Sequence, residues 1–368
     1  MKKTGKRIVT SPFIIPFFMM NEGCPYRCVF CNQRISAGDF PRRLTQDSLD
    51  REVRASLAWK RDPSRKVEVA FYGGSFTGAD VVYQEQLLSW AYKYVEEGFI
   101  DSIRISTRPD DITGDALPLL RKYGVKTVEI GAQSFVDEVL RQAQRGHLAA
   151  DTERAVCLLK ENGFRTGLHL MVGLPQDTEE GFYHSLDQTI RLKPDTVRIH
   201  PVVVLKETRL AEMFLRGDYR PLDLQQAVQL CKTAWVRLTE AGIGVIRMGL
   251  HETPEMAEPG NVLAGPLHPA FGSLVLSAVF LEYTMKLLER LSFRARHLKF
   301  ILSRRDVSSF CGHHKMNLAA IKALCPFTDF VVESSHQQKR GEITLLADGG
   351  AACSVRIPGI HEEQGAYV

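Results

Sequence analysis

Short apolar or β-branched segments alternate with longer amphipathic segments along most of this 368-residue chain. Because parallel strands need a crossover connection that is usually a helix, such alternation predicts repeated βα units around a parallel sheet. The predicted strands are 13–18, 66–71, 102–107, 125–130, 166–172 and 197–203. Six βα units therefore precede about Gly217, and 244–247 is a candidate for a later strand.

Four of the intervening segments have the polarity pattern and the end signals of helices. They are 80–97, 151–162, 177–192 and 223–241, each beginning with Asp, and the second and fourth are followed by Gly163 and Gly242. Asp at a helix start and Gly just past its end are capping residues. No GxGxxG pattern follows the first strand, which argues against a doubly wound sheet. We predict an α/β fold, a partial (β/α)6 barrel of the TIM type.

The alternation stops near Gly265. A long helical pattern follows over 274–293, and a mixed region then includes a predicted hairpin around Arg340 and Gly341. We therefore divide the chain into a barrel core, 1–264, and a smaller α+β extension, 265–368, that binds substrate or RNA. No low-complexity linker separates the two, so the extension is expected to pack on the barrel.

The composition, with 44% hydrophobic and 24% charged residues, is typical of a water-soluble globular protein. The apolar run 12–20 is short and contains Pro16, so it is neither a signal peptide nor a membrane span. The expectation is a cytoplasmic protein that does not enter a membrane. The net charge of +4 permits an anionic partner such as RNA without requiring one.

Three of the eight cysteines lie within eight residues, directly after the first predicted strand. Cys24, Cys28 and Cys31 would thus stand at the C-terminal rim, where barrel enzymes place their active sites. Thiolates suit zinc or iron–sulfur clusters, but a structural zinc site needs four ligands and no fourth is near. Three cysteines on a four-iron cluster leave one iron open to bind a cofactor. A zinc loop or unconnected thiols are the alternatives.

The CxxxCxxC spacing, with Phe30 before the last cysteine, resembles the signature of the radical S-adenosylmethionine (SAM) superfamily. That resemblance implies a [4Fe-4S] cluster whose open iron chelates SAM. The segment FYGGSFTG likewise resembles the superfamily's Gly-Gly-Glu motif, which binds the SAM amino group. It implies SAM contacts at Gly73, Gly74 and Ser75, although Ser75 stands where many members have Glu.

Further polar residues end the later strands at the same rim. Gln133 and Arg145 match two residues that contact SAM in oxygen-independent coproporphyrinogen oxidases, and His169 stands where that family has Asp. Arg108 is a candidate for the SAM carboxylate or an anionic substrate, and Ser106 replaces a Glu common in relatives. The set expected to bind the cofactor is Phe30, Gly73, Gly74, Ser75, Ser106, Arg108, Gln133, Arg145, His169 and His200.

Taken together, the segments CPYRCVFCNQ, STRPD, GAQSFVDEVLRQAQRGH, HLMVGLP and RIHPVVVLKETRLAEMF look like the radical SAM half of the elongator catalytic subunit. The resemblance covers roughly 13–265. That subunit acts on wobble uridine in tRNA and joins its SAM domain to an acetyltransferase domain. The region after Gly265 shows no acetyl-CoA-type Gly-rich loop, so a stand-alone elongator-like protein is expected.

The extension contains basic residues with interleaved aromatics, a composition found on RNA-contacting surfaces but also on solvated helix faces. They are Lys286, Arg290, Arg294, Arg296, Lys299, Arg304 and Arg305, with Tyr283, Phe293 and Phe300. An auxiliary metal site is left open, and its candidate ligands are Cys311, His313, His314, Cys325 and Cys353.

The resemblance implies an enzyme that cleaves SAM reductively to a 5′-deoxyadenosyl radical, acting on tRNA or another RNA. The expected cofactors are a [4Fe-4S] cluster and SAM, and the expected partners are a reductant protein such as flavodoxin or ferredoxin, and tRNA. The catalytic residues, the substrate and the attacked atom stay open. Two alternatives remain: a coproporphyrinogen oxidase-like enzyme, weakened by Asn32 where that family usually has a further cysteine, and a non-catalytic iron–sulfur protein that binds RNA.

Overall fold

The computed structural model describes residues 12–38, 40, 43–290, 295–326, 328–348 and 351–360. Their strands, in chain order, are β1 (Phe13–Met19), β2 (Val67–Gly73), β3 (Ser102–Thr107), β4 (Val125–Gln133), β5 (Arg165–Val172), β6 (Thr196–Pro201), β7 (Val204–Leu205), β8 (Gly244–Met248), β9 (Val262–Ala264), β10 (His297–Ser303), β11 (Asp329–Ser335), β12 (Glu342–Ala347) and β13 (Ala351–Arg356).

The helices connect and cover these strands. In chain order they are α1 (Gln33–Ala37), α2 (Gln46–Leu57), α3 (Val81–Glu96), α4 (Leu117–Lys122), α5 (Asp137–Gln142), α6 (Ala149–Glu161), α7 (Glu179–Leu192), α8 (Arg209–Arg216), α9 (Leu224–Glu240), α10 (Pro254–Ala257), α11 (Phe271–Arg290), α12 (Val307–Cys311) and α13 (Met316–Leu324). Short 3-10 turns occupy Phe76–Gly78, Gly114–Ala116 and His313–Lys315.

Seven parallel strands form one curled sheet in the order β1-β2-β3-β4-β5-β6-β8, which is the partial barrel expected from the sequence. The candidate later strand is its seventh member, β8. The outer face of the sheet is apolar, and the helices pack on it. Fully buried residues of this face include Val69, Ile105, Val128 and Leu168. The inner face carries polar and charged side chains instead, and these build the site described below.

Two of the four predicted helix caps are confirmed, since Asp80 and Asp223 accept the capping hydrogen bonds of α3 and α9. The other two are wrong. Helix α6 begins earlier, after Leu148, and Asp151 lies inside its first turn, where its carboxylate accepts the Leu148 N–H at 2.9 Å. Helix α7 is capped by the hydroxyl of Thr178 rather than by Asp177.

The extension forms a second sheet in the order β11-β10-β12-β13. The predicted hairpin around Arg340 and Gly341 is wrong, because β10 lies between β11 and β12 and pairs with both. The antiparallel neighbours in sequence are β12 and β13. The Arg340–Gly341 turn is fixed by Asp306, a buried carboxylate that accepts the Gly341 N–H at 2.7 Å.

Helix α11 joins the two sheets. By length and hydropathy it is the one helix of the described residues that could cross a membrane, but 56% of its most apolar window is buried inside the protein. Val279 and Leu287 are fully buried, and α11 packs against α9 and α12. One hydrophobic core thus runs from Ile15 in the barrel to Ile360 in the extension. The division at Gly265 stays a proposal.

Candidate functional site

The cysteine loop follows β1 at the C-terminal rim of the sheet. It is held by backbone hydrogen bonds: Cys24 N donates to Asn21 O at 3.2 Å, and Cys31 N donates to Cys28 O at 3.0 Å. Between the last two cysteines, Val29 is buried and its N–H reaches Ala143 O at 3.1 Å. Phe30 is half-buried and packs against the same apolar cluster as Val29.

The cysteine loop lies directly on the turn that ends β2. Ser75 N donates to Glu22 O at 2.8 Å, and a Cβ added at Gly74 would stand 2.0 Å from that same oxygen. Only glycine permits so close an approach of two backbones. Gln33 joins the same segments, because its amide donates to Gly73 O at 2.7 Å and accepts the Asn21 N–H at 2.7 Å.

Arg145 is buried and brings a positive charge to the thiols. Its guanidinium donates to Cys28 Sγ at 3.1 Å and to Gly131 O at 2.7 Å, while its Nε donates to His147 Nε2 at 3.2 Å. Burial and the Arg145 charge lower the pKa of His147 to about 4, which leaves its ring neutral and able to accept. Arg145 thus reaches the cysteine loop, and its predicted contact with SAM stays a prediction.

The thiols are suited to share one cationic centre. Burial first, and then the neighbouring Cys28, raise the pKa of Cys24, while Arg145 and Arg108 oppose this. Thiolates this close repel each other, and a bound metal removes the repulsion. In the described part of the chain, no group of three or more His, Cys, Asp or Glu can hold a single metal ion. Three thiols on one loop with a cationic donor fit a polynuclear iron–sulfur cluster better than a closed zinc site.

A second network lies behind the β2 turn. Ser75 is fully buried, and its hydroxyl contacts Thr107 Oγ1 at 2.9 Å, donates to the Asp111 carboxylate and accepts the Arg108 N–H at 3.1 Å. Burial raises the pKa of Asp111, and the Ser75 hydrogen bond opposes this. The Ser75 hydroxyl therefore holds the ends of β2 and β3 together. The backbone carbonyl oxygen of Ser75, rather than its hydroxyl, faces the cysteine loop, since a Cβ added at Gly23 would lie 2.1 Å from it.

Arg108 crosses from this network toward the cysteine loop. Its guanidinium lies 4.9 Å from the centre of the Tyr26 ring and donates to Asp110 Oδ2 at 2.7 Å. A Cβ at Gly146 would lie 2.3 Å from the same ring, so Tyr26 is clamped between the Arg108 and Arg145 segments. The Arg108 Nε lies 3.9 Å from Asp111 Oδ2, too far for a hydrogen bond, and has no hydrogen-bond partner within the described protein, which leaves one donor for a ligand.

The inner face of the sheet carries a buried charge network that the sequence analysis missed. Glu129, fully buried on β4, accepts from Arg104 at 2.5 Å and lies 2.9 Å from Arg198 Nε. Arg104 also donates to Glu68 at 2.8 Å. Burial alone would raise the pKa of Glu129, but Arg198, His169 and Arg104 hold it well below its usual range. The sequence did contain a signal for this network, because charged residues stand at alternate positions of otherwise apolar predicted strands.

The remaining predicted cofactor residues line this face. His169 is bound to Glu129 Oε2 at 2.7 Å, and its ring centre lies 5.8 Å from that of His200. Ser106 is half-buried and pairs in register with Glu129. Gln133, with a left-handed φ of 67°, folds over Gly131 beside Arg145. Their contacts with SAM stay predictions.

Two expectations for the extension change. Tyr283 and Phe300 are buried core residues, so neither can belong to an exposed RNA-contacting surface. Lys286 pairs with Glu282, and Lys299 pairs with Glu333. Phe293 and Arg294 lie outside the described residues. His313 and His314 contact each other edge to face, with ring centres 4.1 Å apart. Neither joins a metal-binding group among the residues described, and the same is true of Cys311, Cys325 and Cys353.

Comparison with known proteins matches this geometry. Residues 19–189 match the model of the radical SAM superfamily, and residues 194–279 match the Radical_SAM C-terminal domain. The two matches together cover more than half of the chain. They include every strand of the curled sheet except most of β1, and they contain all the residues of the cysteine loop.

Individual relatives are similar over the same region. A protein named tRNA uridine(34) acetyltransferase from Methanocaldococcus jannaschii is 26% identical over 281 residues, which is 64% of this chain and 52% of that protein. The oxygen-independent coproporphyrinogen-III oxidase-like protein HemZ of Bacillus subtilis is 27% identical over 58% of this chain and 44% of its own length. This chain spans about half the length of the first curated relatives it matches.

The solved structure of Elp3 from Methanocaldococcus infernus, with residues 1–46 deleted, shares the fold. It superimposes with a TM-score of 0.54 at 23% identity, covering 78% of this chain and 65% of that one. With a radical SAM domain followed by the family's C-terminal domain, the chain belongs to the radical SAM superfamily of enzymes, which use a [4Fe-4S] cluster and SAM.

Proposed function

We propose that this radical SAM enzyme modifies RNA, with a uridine of tRNA as its target. The observation that carries the proposal is the similarity to proteins named tRNA uridine(34) acetyltransferase, which extends over 281 residues. The net charge of +4 is compatible with a polyanionic substrate. We also propose a cytoplasmic location and a flavodoxin or ferredoxin as the external reductant that such enzymes require.

In this proposal Cys24, Cys28 and Cys31 hold the cluster. When bound, cluster and SAM supply the reductive cleavage of the SAM sulfonium bond and a 5′-deoxyadenosyl radical. Arg145 supports the Cys28 thiolate through its 3.1 Å hydrogen bond and places a positive charge beside it. The close packing of Gly74 on Glu22 keeps the cysteine loop in one position.

The other predicted residues orient the cofactor and exclude water. The Nε of Arg108 makes no hydrogen bond within the described protein, so Arg108 can bind a carboxylate at the rim. Gly73 and Gly74 bring backbone atoms close to the loop without side chains in the way. Gln133, His169 and Ser106 would face the ribose and adenine from the inner face of the sheet, whereas the unpaired Nε2 of His200 is left available to the substrate.

The similarity to HemZ favours one second candidate, an oxygen-independent coproporphyrinogen oxidase-like reaction. Asn32 argues against it. Where that family usually has a further cysteine, the Asn32 side chain accepts the Ile35 N–H at 3.4 Å and donates to Lys206 O at 2.9 Å. Asn32 thus caps α1 and ties it to the β7 segment, which is a structural role.

The cofactor part is tested by anaerobic reconstitution of the full chain with iron and sulfide. Addition of SAM and dithionite should then yield 5′-deoxyadenosine. Cys28→Ala should abolish cluster binding and cleavage, while Cys157→Ala should not, since Cys157 is an exposed thiol on α6 and not part of the cysteine loop. A fully loaded cluster without SAM cleavage would contradict the enzyme and favour a non-catalytic iron–sulfur protein that binds RNA.

The substrate part is tested by nucleoside mass spectrometry of tRNA from cells with and without the gene. The proposal expects one modified uridine to disappear in the deletion strain and to return with the wild-type protein but not with Cys28→Ala. An unchanged nucleoside profile together with altered porphyrins would replace it by the coproporphyrinogen oxidase-like reaction.

A further inference from the structure

The seventh strand adds an arginine to the inner face of the sheet. Arg247 on β8 stands in register with Arg198 on β6, so both arise from neighbouring strands at the same height. Arg247 is half-buried. Unlike Arg198, it forms no hydrogen bond or ion pair with any residue that the structure describes.

The carboxylates of the inner face are already used by other residues. Glu129 is shared by Arg104, Arg198 and His169, and Glu68 by Arg104 and Ser102. Three guanidinium groups therefore face two carboxylates, and the uncompensated charge is that of Arg247. Burial and the neighbouring Arg198 lower the pKa of Arg247, and Tyr72 and Glu129 oppose this only in part, so its environment resists a positive charge. A half-buried arginine in such a place is costly unless an anion joins it.

A second unused group stands next to Arg247. The Nε2 atom of His200 is buried and has no hydrogen-bond partner within the described protein. Burial, followed by the charges of His169, Arg198 and Arg247, holds the pKa of His200 well below its usual range. The ring is therefore neutral, and a neutral imidazole still donates one N–H. His200 lies two residues beyond Arg198 on β6, nearer the rim.

We propose that Arg247, assisted by His200, binds an anionic oxygen group of the substrate, a carboxylate or a phosphate, inside the partial barrel. A guanidinium donates two parallel hydrogen bonds to such a group, and its charge is neutralised by it. This inference rests on the proposed function, because it assumes that the substrate enters the barrel from the rim that carries the cysteine loop. If the inference is correct, the substrate carries an anionic oxygen group that reaches β8.

The charge arrangement also explains why the anion would bind at Arg247 rather than at Arg198. Arg198 already contacts Glu129 and donates to the Tyr72 hydroxyl at 2.9 Å, so its donors are largely used. Arg247 keeps all of its donors. Arg198, its neighbour in register, is held in place by Glu129.

The test uses the full chain with its cluster, without reductant. Calorimetric titration with inorganic phosphate, acetate, uridine 5′-monophosphate and uridine compares wild type with Arg247→Met and Arg247→Lys. Wild type should bind at least one anion, and uridine should bind at least tenfold more weakly than uridine 5′-monophosphate if the group is a phosphate. Arg247→Met should weaken the anion at least tenfold, and Arg247→Lys by less. Tighter binding of acetate than of phosphate would identify a carboxylate.

Arg216→Met is the matched control. Arg216 is an exposed arginine that pairs with Asp218 on the surface, so its loss should leave anion binding unchanged. Without anion, Arg247→Met should raise the melting temperature, because it removes an uncompensated charge; with anion, only wild type and the control should gain stability. Absence of anion binding by wild type, equal binding by Arg247→Met, or a lowered melting temperature of that variant would overturn the inference. Because none of these measurements involves SAM cleavage or RNA, failure of the proposed function is observed separately.

Discussion

Replacing the buried carboxylate of Glu129 by an amide is expected to destabilise the fold strongly. At an effective dielectric constant of about 20, each guanidinium within about 4 Å attracts a carboxylate by about 4 kcal/mol, and desolvation offsets much of this. Glu129 has two such partners, Arg104 and Arg198, as well as His169 at 2.7 Å. Removing one partner of a buried ion pair leaves the other charge unpaired and lowers the free energy of unfolding by about 3–5 kcal/mol. Glu129→Gln should therefore lower the free energy of unfolding by that amount.

The assay is equilibrium denaturation by urea, with Glu153→Gln as the matched control. Glu153 pairs with Arg191 at 2.7 Å on the surface, where ion pairs contribute less than about 1 kcal/mol. In a double-mutant cycle, adding Arg198→Met to Glu129→Gln should cost less than the two single losses together, because one unpaired cation is removed. Equal losses for Glu129→Gln and Glu153→Gln would refute the network's contribution.

Acidification offers an independent check on the same residue. The pKa of Glu129 is held well below its usual range in the folded protein. A carboxyl with a depressed folded pKa stabilises the protein fully above its unfolded pKa and loses that contribution as the pH falls toward the folded pKa. The stability difference between wild type and Glu129→Gln should therefore narrow as the pH is lowered from about 5. A difference that grows on acidification would contradict the assigned direction.

Three further predictions concern the cysteine loop and α11. Gly74→Ala should reduce iron incorporation severalfold, because the added Cβ would collide with Glu22 O. Gly114→Ala should leave iron incorporation unchanged, because the space around Gly114 is open. Equal iron content in the two variants would contradict the close packing at Gly74. Arg145→Met should keep the cluster but shift its midpoint potential to more negative values in a redox titration, because the positive charge and the hydrogen bond at Cys28 are lost. Arg154→Met, which removes an exposed ion pair with Asp151, should leave the midpoint potential unchanged. Leu287→Ala should lower the free energy of unfolding by about 2–5 kcal/mol, against less than about 0.5 kcal/mol for the exposed Leu215→Ala; a small loss would show that α11 is not a core helix.

The sequence predicted the barrel well because each strand has a local signal that the parallel sheet preserves. The segment 102–107 is β3 to the residue, and the cysteine loop stands at the rim where strand ends must converge. Strand order in the extension could not be predicted in this way. The pairing of β10 with both β11 and β12 joins residues far apart in the chain, and the Arg340–Gly341 turn looks like a hairpin whether or not its strands are neighbours.

The site was predicted only in part, for a related reason. Motifs identify residues that meet at strand ends, and Arg145 indeed reaches Cys28 across 117 positions. The charged inner face depends instead on which side of each strand faces inward. Arg104 and Glu129 lie within the predicted strands 102–107 and 125–130, but the role of a charged residue in an apolar strand is defined only when its neighbours across the sheet are known. Tyr283 and Phe300 show the converse, since aromatics beside basic residues in sequence are core residues in space.

Helix α11 also has a consequence for how the chain is made. Its packing partners α9 and β8 precede it in the chain, so they emerge from the ribosome before α11 and are available to pack on its apolar face when it emerges. The strands of the second sheet are synthesised later and must assemble on α11. Strand β10 can pair with β11 first, and its other edge stays unpaired until β12 is synthesised. Nascent chains that stop between α11 and β12 would leave apolar surface uncovered, and such intermediates are the ones that chaperones bind during translation.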